Sequence, residues 1–319
     1  MHLLAHPRRP VLAGTVACLL IAAPGASAAS TVAKLRVEAA GHALDRGTAY
    51  ATGSARVPTS SHQCAGSGRS FVLGGPNATG IVDYAQEFNS GLRPFFVSDR
   101  FSFGLIVCNI GGHGAFSANK AWLYKRNHRD PGVAGDQARL STGDQVLWYF
   151  ANFASGANTG AELWLAAPAR ARHGSTFTVT AFAFDSAGRR TPAAGVRIKG
   201  DASATTGADG TARILAASEG RLHLRGTRGN DVPTQPLAVC VNDHLSACPR
   251  YRGAVIVGSR LGDRLHGTRG RDLVIARGGN DRIRVRGGGR DRVRCGGGHD
   301  IVIAGPSDRV RDCEVVMRP

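Results

Sequence analysis

The sequence predicts a mostly β, multidomain chain: a small α+β unit, then a β-sandwich, then a short periodic β unit. Three observations predict it. Glycine reaches 43 of 319 residues while aromatics are only 6%, a balance that suits several small, turn-rich modules rather than one large helical core. Through the middle of the chain, short apolar runs recur at roughly eight to twelve residues, the spacing of a sandwich. Near the C terminus six aspartates, Asp263, Asp272, Asp281, Asp291, Asp300 and Asp308, follow at steps of nine, nine, ten, nine and eight residues.

Residues 1–28 read as an export signal. Arg8 and Arg9 open it, an apolar run extends from Val11 to Ala23, Pro24 and Gly25 break the run, and Ala26-Ser27-Ala28 has the small-residue cleavage pattern. The run is too short to span a bilayer, so the mature chain is expected to be secreted, extracellular or associated with the cell envelope. Six cysteines then remain: Cys64, Cys108, Cys240, Cys248, Cys295 and Cys313. An even count in an exported chain points to disulfides, and the spacing falls into three local pairs, Cys64–Cys108, Cys240–Cys248 and Cys295–Cys313. Zinc would need clustered CxxC or His spacing, which is absent.

Residues 29–155 carry two of the three tryptophans and four of the five tyrosines. Ala33–Ala39 alternates as a strand. Thr79–Asn89 has helical spacing, with Ile81, Tyr84, Ala85 and Phe88 on one face. Phe101–Ile110, Ala121–Lys125 and Gln145–Phe153 are strand-like. The run from Trp122 to Asn127, then Leu140-Ser-Thr-Gly143-Asp144-Gln-Val146-Leu-Trp148, resembles the transcobalamin-like C-terminal domain, a family of unknown function found in secreted bacterial proteins. The resemblance spans roughly residues 31–153. It implies a small β-grasp-like fold. In the vitamin-carrier relatives this domain covers one face of cobalamin, which makes Trp122, Asn127 and Trp148 the candidate ligand residues here. Arg126 and His128 flank Asn127 where the family more often has a V-N-G type turn. Read by strand pattern alone, both tryptophans are core and Asp144 is a turn former.

Residues 160–241 offer strands at Glu162–Ala166, Thr176–Phe184, Val196–Lys199, Ala212–Ala216, Gly220–Arg225 and Pro236–Val241. Asp185-Ser186-Ala187-Gly188 and Asp209-Gly210 supply the turns. With Gly174–Thr180 and Thr205–Thr211, this segment resembles bacterial Ig-like repeats, which implies a spacer or an adhesive surface.

Residues 253–316 are the periodic tail. Two residues after each aspartate stands an aliphatic side chain: Leu265, Val274, Ile283, Val293, Val302 and Val310. Glycines precede most of the aspartates. This resembles the RTX, or haemolysin-type, nonapeptide repeat G-G-x-G-x-D-x-U-x, and implies a parallel β-roll. In such a roll, aspartates about 18 residues apart fall on one side, and with glycine carbonyls they form an all-oxygen shell suited to Ca²⁺. Asp263, Asp272, Asp281, Asp291 and Asp300 are the candidate ligands, paired as Asp263 with Asp281, Asp272 with Asp291, and Asp281 with Asp300. Arginine fills many variable positions, the first glycine is replaced at Ala276, Arg286 and Cys295, and one step is ten residues. Two readings stay open: a calcium-coupled roll, or a metal-free roll whose aspartates are neutralised by arginine and closed by Cys295–Cys313.

The formal charge is +17, nearly all from arginine. This Arg-for-Lys bias, with abundant Ala and Gly, has the look of a GC-rich, actinobacterial-type coding sequence. It carries little weight for nucleic acid, because the tail has no aromatic residue after Tyr251 to interleave with its arginines. Anionic surface polymers fit the charge better. No G-x-S-x-G elbow, HExxH helix or P-loop occurs. The sequence therefore reads as a non-enzymatic, monomeric binding or surface-interaction protein. Its partner would be an extracellular ligand or surface polymer, and Ca²⁺ its cofactor. The alternative is a carrier of a corrinoid or another small ligand in the first unit.

Overall fold

The computed structural model describes residues 31–39, 41–60, 64–114, 119–152, 160–285, 287 and 289–319. The export signal expected at residues 1–28, and Arg286, lie outside the described residues. Strand makes up 48% and helix 5%, so the chain is mostly β and built of several sheets.

In the first unit the strands are β1 (Thr31–Ala39), β2 (His42–Thr52), β3 (Ala55–Pro58), β4 (Ser70–Leu73), β5 (Phe95–Ser98), β6 (Ile106–Ile110), β7 (His113–Gly114), β8 (Lys120–Arg126) and β9 (Gln145–Asn152), with one helix α1 (Gly80–Ala85). β1 and β2 form an antiparallel hairpin, β9 joins β1 in parallel, and β8 closes antiparallel on β9. Ala33, Leu35, Val37 and Ala39 of β1 face the core with the period two of a strand, while Arg36 and Glu38 on its other face are buried against Glu162 and Arg225 of the sandwich. Against that face lie Ile81, Val82 and Ala85 of α1, all fully buried.

Two elements differ from the sequence reading. α1 ends at Ala85 rather than running to Asn89, because Glu87 and Phe88 N–H groups donate three residues back, to Tyr84 and Ala85 carbonyls, tightening the last turn. β6 starts at Ile106 rather than Phe101, because Gly104 takes φ +136° and turns the chain; Phe101 and Phe103 are exposed.

The second unit is a sandwich of β10 (Glu162–Ala166), β11 (Arg170–Ala171), β12 (Thr176–Phe184), β13 (Arg190–Pro192), β14 (Arg197–Gly200), β15 (Ala204–Thr205), β16 (Thr211–Leu215), β17 (Gly220–Thr227) and β18 (Leu237–Val241). One sheet centres on β12, flanked by β10, β13 and β16; the other runs β11-β18-β17-β14-β15. Their inner faces meet through Leu163, Val179, Val196, Ile198, Leu224 and Val239.

The tail forms β19 (Val255–Val257), β20 (Arg264–His266), β21 (Leu273–Gly278), β22 (Arg282–Arg284), β23 (Arg292–Gly297), β24 (Ile301–Ile303), β25 (Arg309–Arg311) and β26 (Val315–Met317). All pair in parallel, odd-numbered strands in one sheet and even-numbered strands in the other. Leu265, Val274, Ile283, Val293 and Val302 stack between the two sheets. Each coil is therefore two nonapeptides.

The roll does not stand apart. β19 pairs in parallel with β2, so one eight-stranded sheet runs β25-β23-β21-β19-β2-β1-β9-β8. Two open edges that would otherwise template aggregation are covered by each other. β2 serves both cores: Ala49 and Ala51 join the roll and Tyr50 joins the first unit. Tyr84 and Phe88, half out of the first core, turn to the roll instead. Tyr84 Oη donates to the Gly258 carbonyl, and the Arg277 guanidinium lies 4.0 Å from the Phe88 ring centre.

Cys64–Cys108, Cys240–Cys248 and Cys295–Cys313 stand as disulfides, with Cα separations of 5.9, 5.7 and 5.2 Å. Among the described residues no helix is long and apolar enough to cross a membrane.

Candidate metal centre

Each turn of the roll ends on an aspartate whose side chain points inward. Asp263, Asp272, Asp281, Asp291 and Asp300 are almost wholly buried, and Asp308 is nearly so. They stack into two ladders. On one side the Asp263 N–H donates to Asp281 Oδ1 at 2.7 Å, the Asp281 N–H to Asp300 Oδ1 at 2.8 Å, and the Asp300 N–H to Glu314 Oε2 at 2.7 Å. On the other, the Ala254 N–H donates to Asp272 Oδ1 at 2.7 Å, the Asp272 N–H to Asp291 Oδ1 at 2.8 Å, and the Asp291 N–H to Asp308 Oδ1 at 2.9 Å. The structure thus brings together the three aspartate pairs of the sequence reading. The contact is carboxylate to main-chain N–H, one coil apart.

The second carboxylate oxygen separates the units. Ser259 and Thr268 stand four residues before Asp263 and Asp272; their main-chain N–H groups donate to Oδ2 of those carboxylates, and their hydroxyls donate to Oδ1 at 2.9 and 2.7 Å. The Gly305 N–H reaches Asp308 Oδ2 at 2.7 Å. The equivalent positions before Asp281, Asp291 and Asp300 are Arg277, Gly287 and Gly296, and Oδ2 of these three aspartates is buried with no hydrogen-bond partner among the described residues. The units with glycine-rich turns are those with the orphaned oxygen. Sequence reasoning missed this division, although the residue four before each aspartate signals it. It also missed Glu314, the last rung.

An anion buried this way is penalised. Burial, then the neighbouring Asp263 and Asp300 carboxylates, push Asp281 up to about 7. Burial, then Asp308 and Asp272, push Asp291 up to about 6. Asp300 is raised by burial and by Glu314. Among the described residues no arginine pairs with Asp281, Asp291 or Asp300. The strand arginines Arg264, Arg282, Arg284, Arg292, Arg294, Arg309 and Arg311 are exposed on the outer faces.

Three orphaned carboxylate oxygens beside stacked glycine turns make an all-oxygen, negatively charged donor set, the chemistry that suits Ca²⁺. The turns approach so closely that a Cβ at Gly298, whose φ is +129°, would stand 2.2 Å from the Gly279 carbonyl oxygen. Among the described residues no three His, Cys, Asp or Glu side chains converge on one point, so turn carbonyls would complete any shell.

The first unit offers a different picture. Trp122 and Trp148 are buried in its core, and their indole N–H groups donate to the His113 and Ala78 carbonyls, both at 2.8 Å. Trp148 stacks on Tyr124 with ring centres 4.8 Å apart. Asn127 is exposed at a turn with φ +52°; its amide donates to Asp144 Oδ1 and accepts from the Gln145 N–H. The polar groups of all three candidate ligand residues are thus engaged in packing and turn closure.

No curated protein and no solved structure matches the chain. Residues 257–288 match the family of RTX calcium-binding nonapeptide repeats, in four copies. The match covers Asp263, Asp272 and Asp281, while the same ladders continue beyond it to Asp291 and Asp300. By this match, residues 257–288 carry RTX calcium-binding repeats, and the coils around them repeat the same turn and strand.

Proposed function

We propose that this is a secreted, non-enzymatic binding protein of the cell surface or its surroundings, with a roll whose folding is coupled to Ca²⁺. The observation that carries the reading is the set of three buried carboxylate oxygens, on Asp281, Asp291 and Asp300, that have no hydrogen-bond partner among the described residues. Those residues, with turn carbonyls, would hold the ion. Its charge would offset carboxylates that otherwise oppose folding. The chain's own part is to stack the turns and to hold the aspartate oxygens by main-chain N–H groups. The folded roll then presents its arginines in register: Arg292 beside Arg309 and Arg294 beside Arg311. Like charges side by side repel, and such a face suits an anionic surface polymer. Export is supported by the apolar segment from Val11 to Ala23 and by the three disulfides.

The test is thermal unfolding of the oxidised full chain after chelation, then across a Ca²⁺ titration. A saturable rise in melting temperature is expected, and Asp281→Asn should shrink it while stabilising the calcium-free protein. Identical melting with chelator and with millimolar calcium would overturn the reading.

A further inference from the structure

A cleft of about 430 Å³ opens where the three units meet. Its floor is the outer face of the first unit's sheet. Lys34 and Arg36 alternate with the core residues of β1, Arg46 is the cross-strand partner of Arg36, and Gln145 is that of Lys34. The sandwich adds Glu162, Trp164 and Gln235; the roll adds Thr268 and the segment Arg252–Val255.

The charges do not cancel. Arg36 is consumed by Glu38 at 2.9 Å and Glu162 at 3.4 Å, and Glu38 is also held by Arg225 at 2.6 Å. Glu162, the acid among the lining residues, further faces His128 at 3.0 Å. Arg252 spends its donors on main-chain carbonyls of the sandwich and keeps its charge. Lys34 and Arg46 are exposed, and among the described residues no ion pair engages them. The cleft thus presents three uncompensated cations, two amides and a half-buried tryptophan, in a volume typical of a small-molecule site.

We infer that this cleft binds an acidic sugar. The cations take the carboxylate or phosphate, Gln145, Gln235 and Thr268 meet hydroxyls, and Trp164 with Leu147 offers apolar surface to the ring. The wall from the roll makes the site a property of the whole chain. Asp272 of the ladder accepts from both Ala254 and Thr268, so the turn that lines the cleft is held by the turn chemistry of the roll.

The experiment is calorimetric titration of the calcium-replete full chain with a disaccharide carrying one uronic acid, its neutral counterpart, and a hexose phosphate. Saturable binding of at least one acidic probe, none of the neutral one, and a loss of about fivefold in affinity for each of Lys34→Gln and Arg46→Gln is expected. Preference between the two acidic probes identifies the head group. Both substitutions lie on exposed side chains, so an unchanged melting temperature separates lost binding from lost folding. Equal binding of neutral and acidic probes, no binding of either acidic probe, or indifference to both substitutions would overturn the inference.

Discussion

Asp281 Oδ1 accepts the main-chain N–H of Asp263, one coil away, at 2.7 Å, while its other oxygen is buried without a partner. One atom of the carboxylate builds the roll and the other works against it. That division sets how the tail should respond to protons and to cations.

In an unfolded chain these carboxyls titrate near 4. In the folded roll burial holds Asp281 up to about 7 and Asp291 up to about 6. Between those limits the folded state keeps protons that the unfolded state has released. Their contribution is therefore full below about pH 4 and is lost as pH rises through 6 to 7. A cation replaces the proton, so calcium should matter most at the upper end. Melting curves at several pH values between 4 and 8 should fall with pH in chelator and flatten in calcium. A melting temperature that rises with pH in chelator would contradict this account.

Gly298 tests the stacking of the turns. Its φ of +129° is unfavourable for any residue with a Cβ, and that Cβ would meet the Gly279 carbonyl oxygen. Gly298→Ala should cost about 2 kcal/mol or more by denaturant unfolding and should weaken the response to calcium. Gly297→Ala, next to it, meets nothing within 4 Å and serves as the control.

The roll was the most legible part of the sequence, because one side chain type recurs at one place in each turn. Asp, glycine and the aliphatic two residues on reveal the coil even where arginine fills the rest. β2 was invisible for the opposite reason. Asp45 and Gly47 interrupt its alternation, and Asp45 is needed where it stands: it accepts from the Gly47 and Thr48 N–H groups and from Tyr50 Oη. The pairing of β2 with β19 joins residues about two hundred apart in the chain; no local pattern encodes it. The cleft was missed likewise, since Lys34, Trp164 and Thr268 come from three units.

Glu38 sits between Arg36 and Arg225, where the sandwich meets the first unit. Burial raises its carboxyl, and the two guanidinium groups oppose that rise. Glu38→Gln keeps the shape, strands Arg225 and leaves Arg36 with Glu162 alone, so it should cost about 3 kcal/mol. A double-mutant cycle with Arg225→Gln should recover part of the loss. Strict additivity would mean that Arg225 and Glu38 contribute independently.

The shared sheet predicts that the roll and the first unit unfold together. Ala49 lies opposite Ile256 at the seam and is buried in the core of the roll. A carboxylate there has no partner, and its burial would cost several kcal/mol. The roll can avoid that cost by detaching β19 from β2. Ala49→Glu should therefore split one calorimetric transition into two and expose the segment before β19 to protease. The first unit keeps Tyr50, Leu35 and Ile81 in its own core, so its transition should move little. Arg46→Glu, exposed on the same strand, controls for added charge alone. A single, unsplit transition in the Ala49 variant would mean that the seam does not couple the two units.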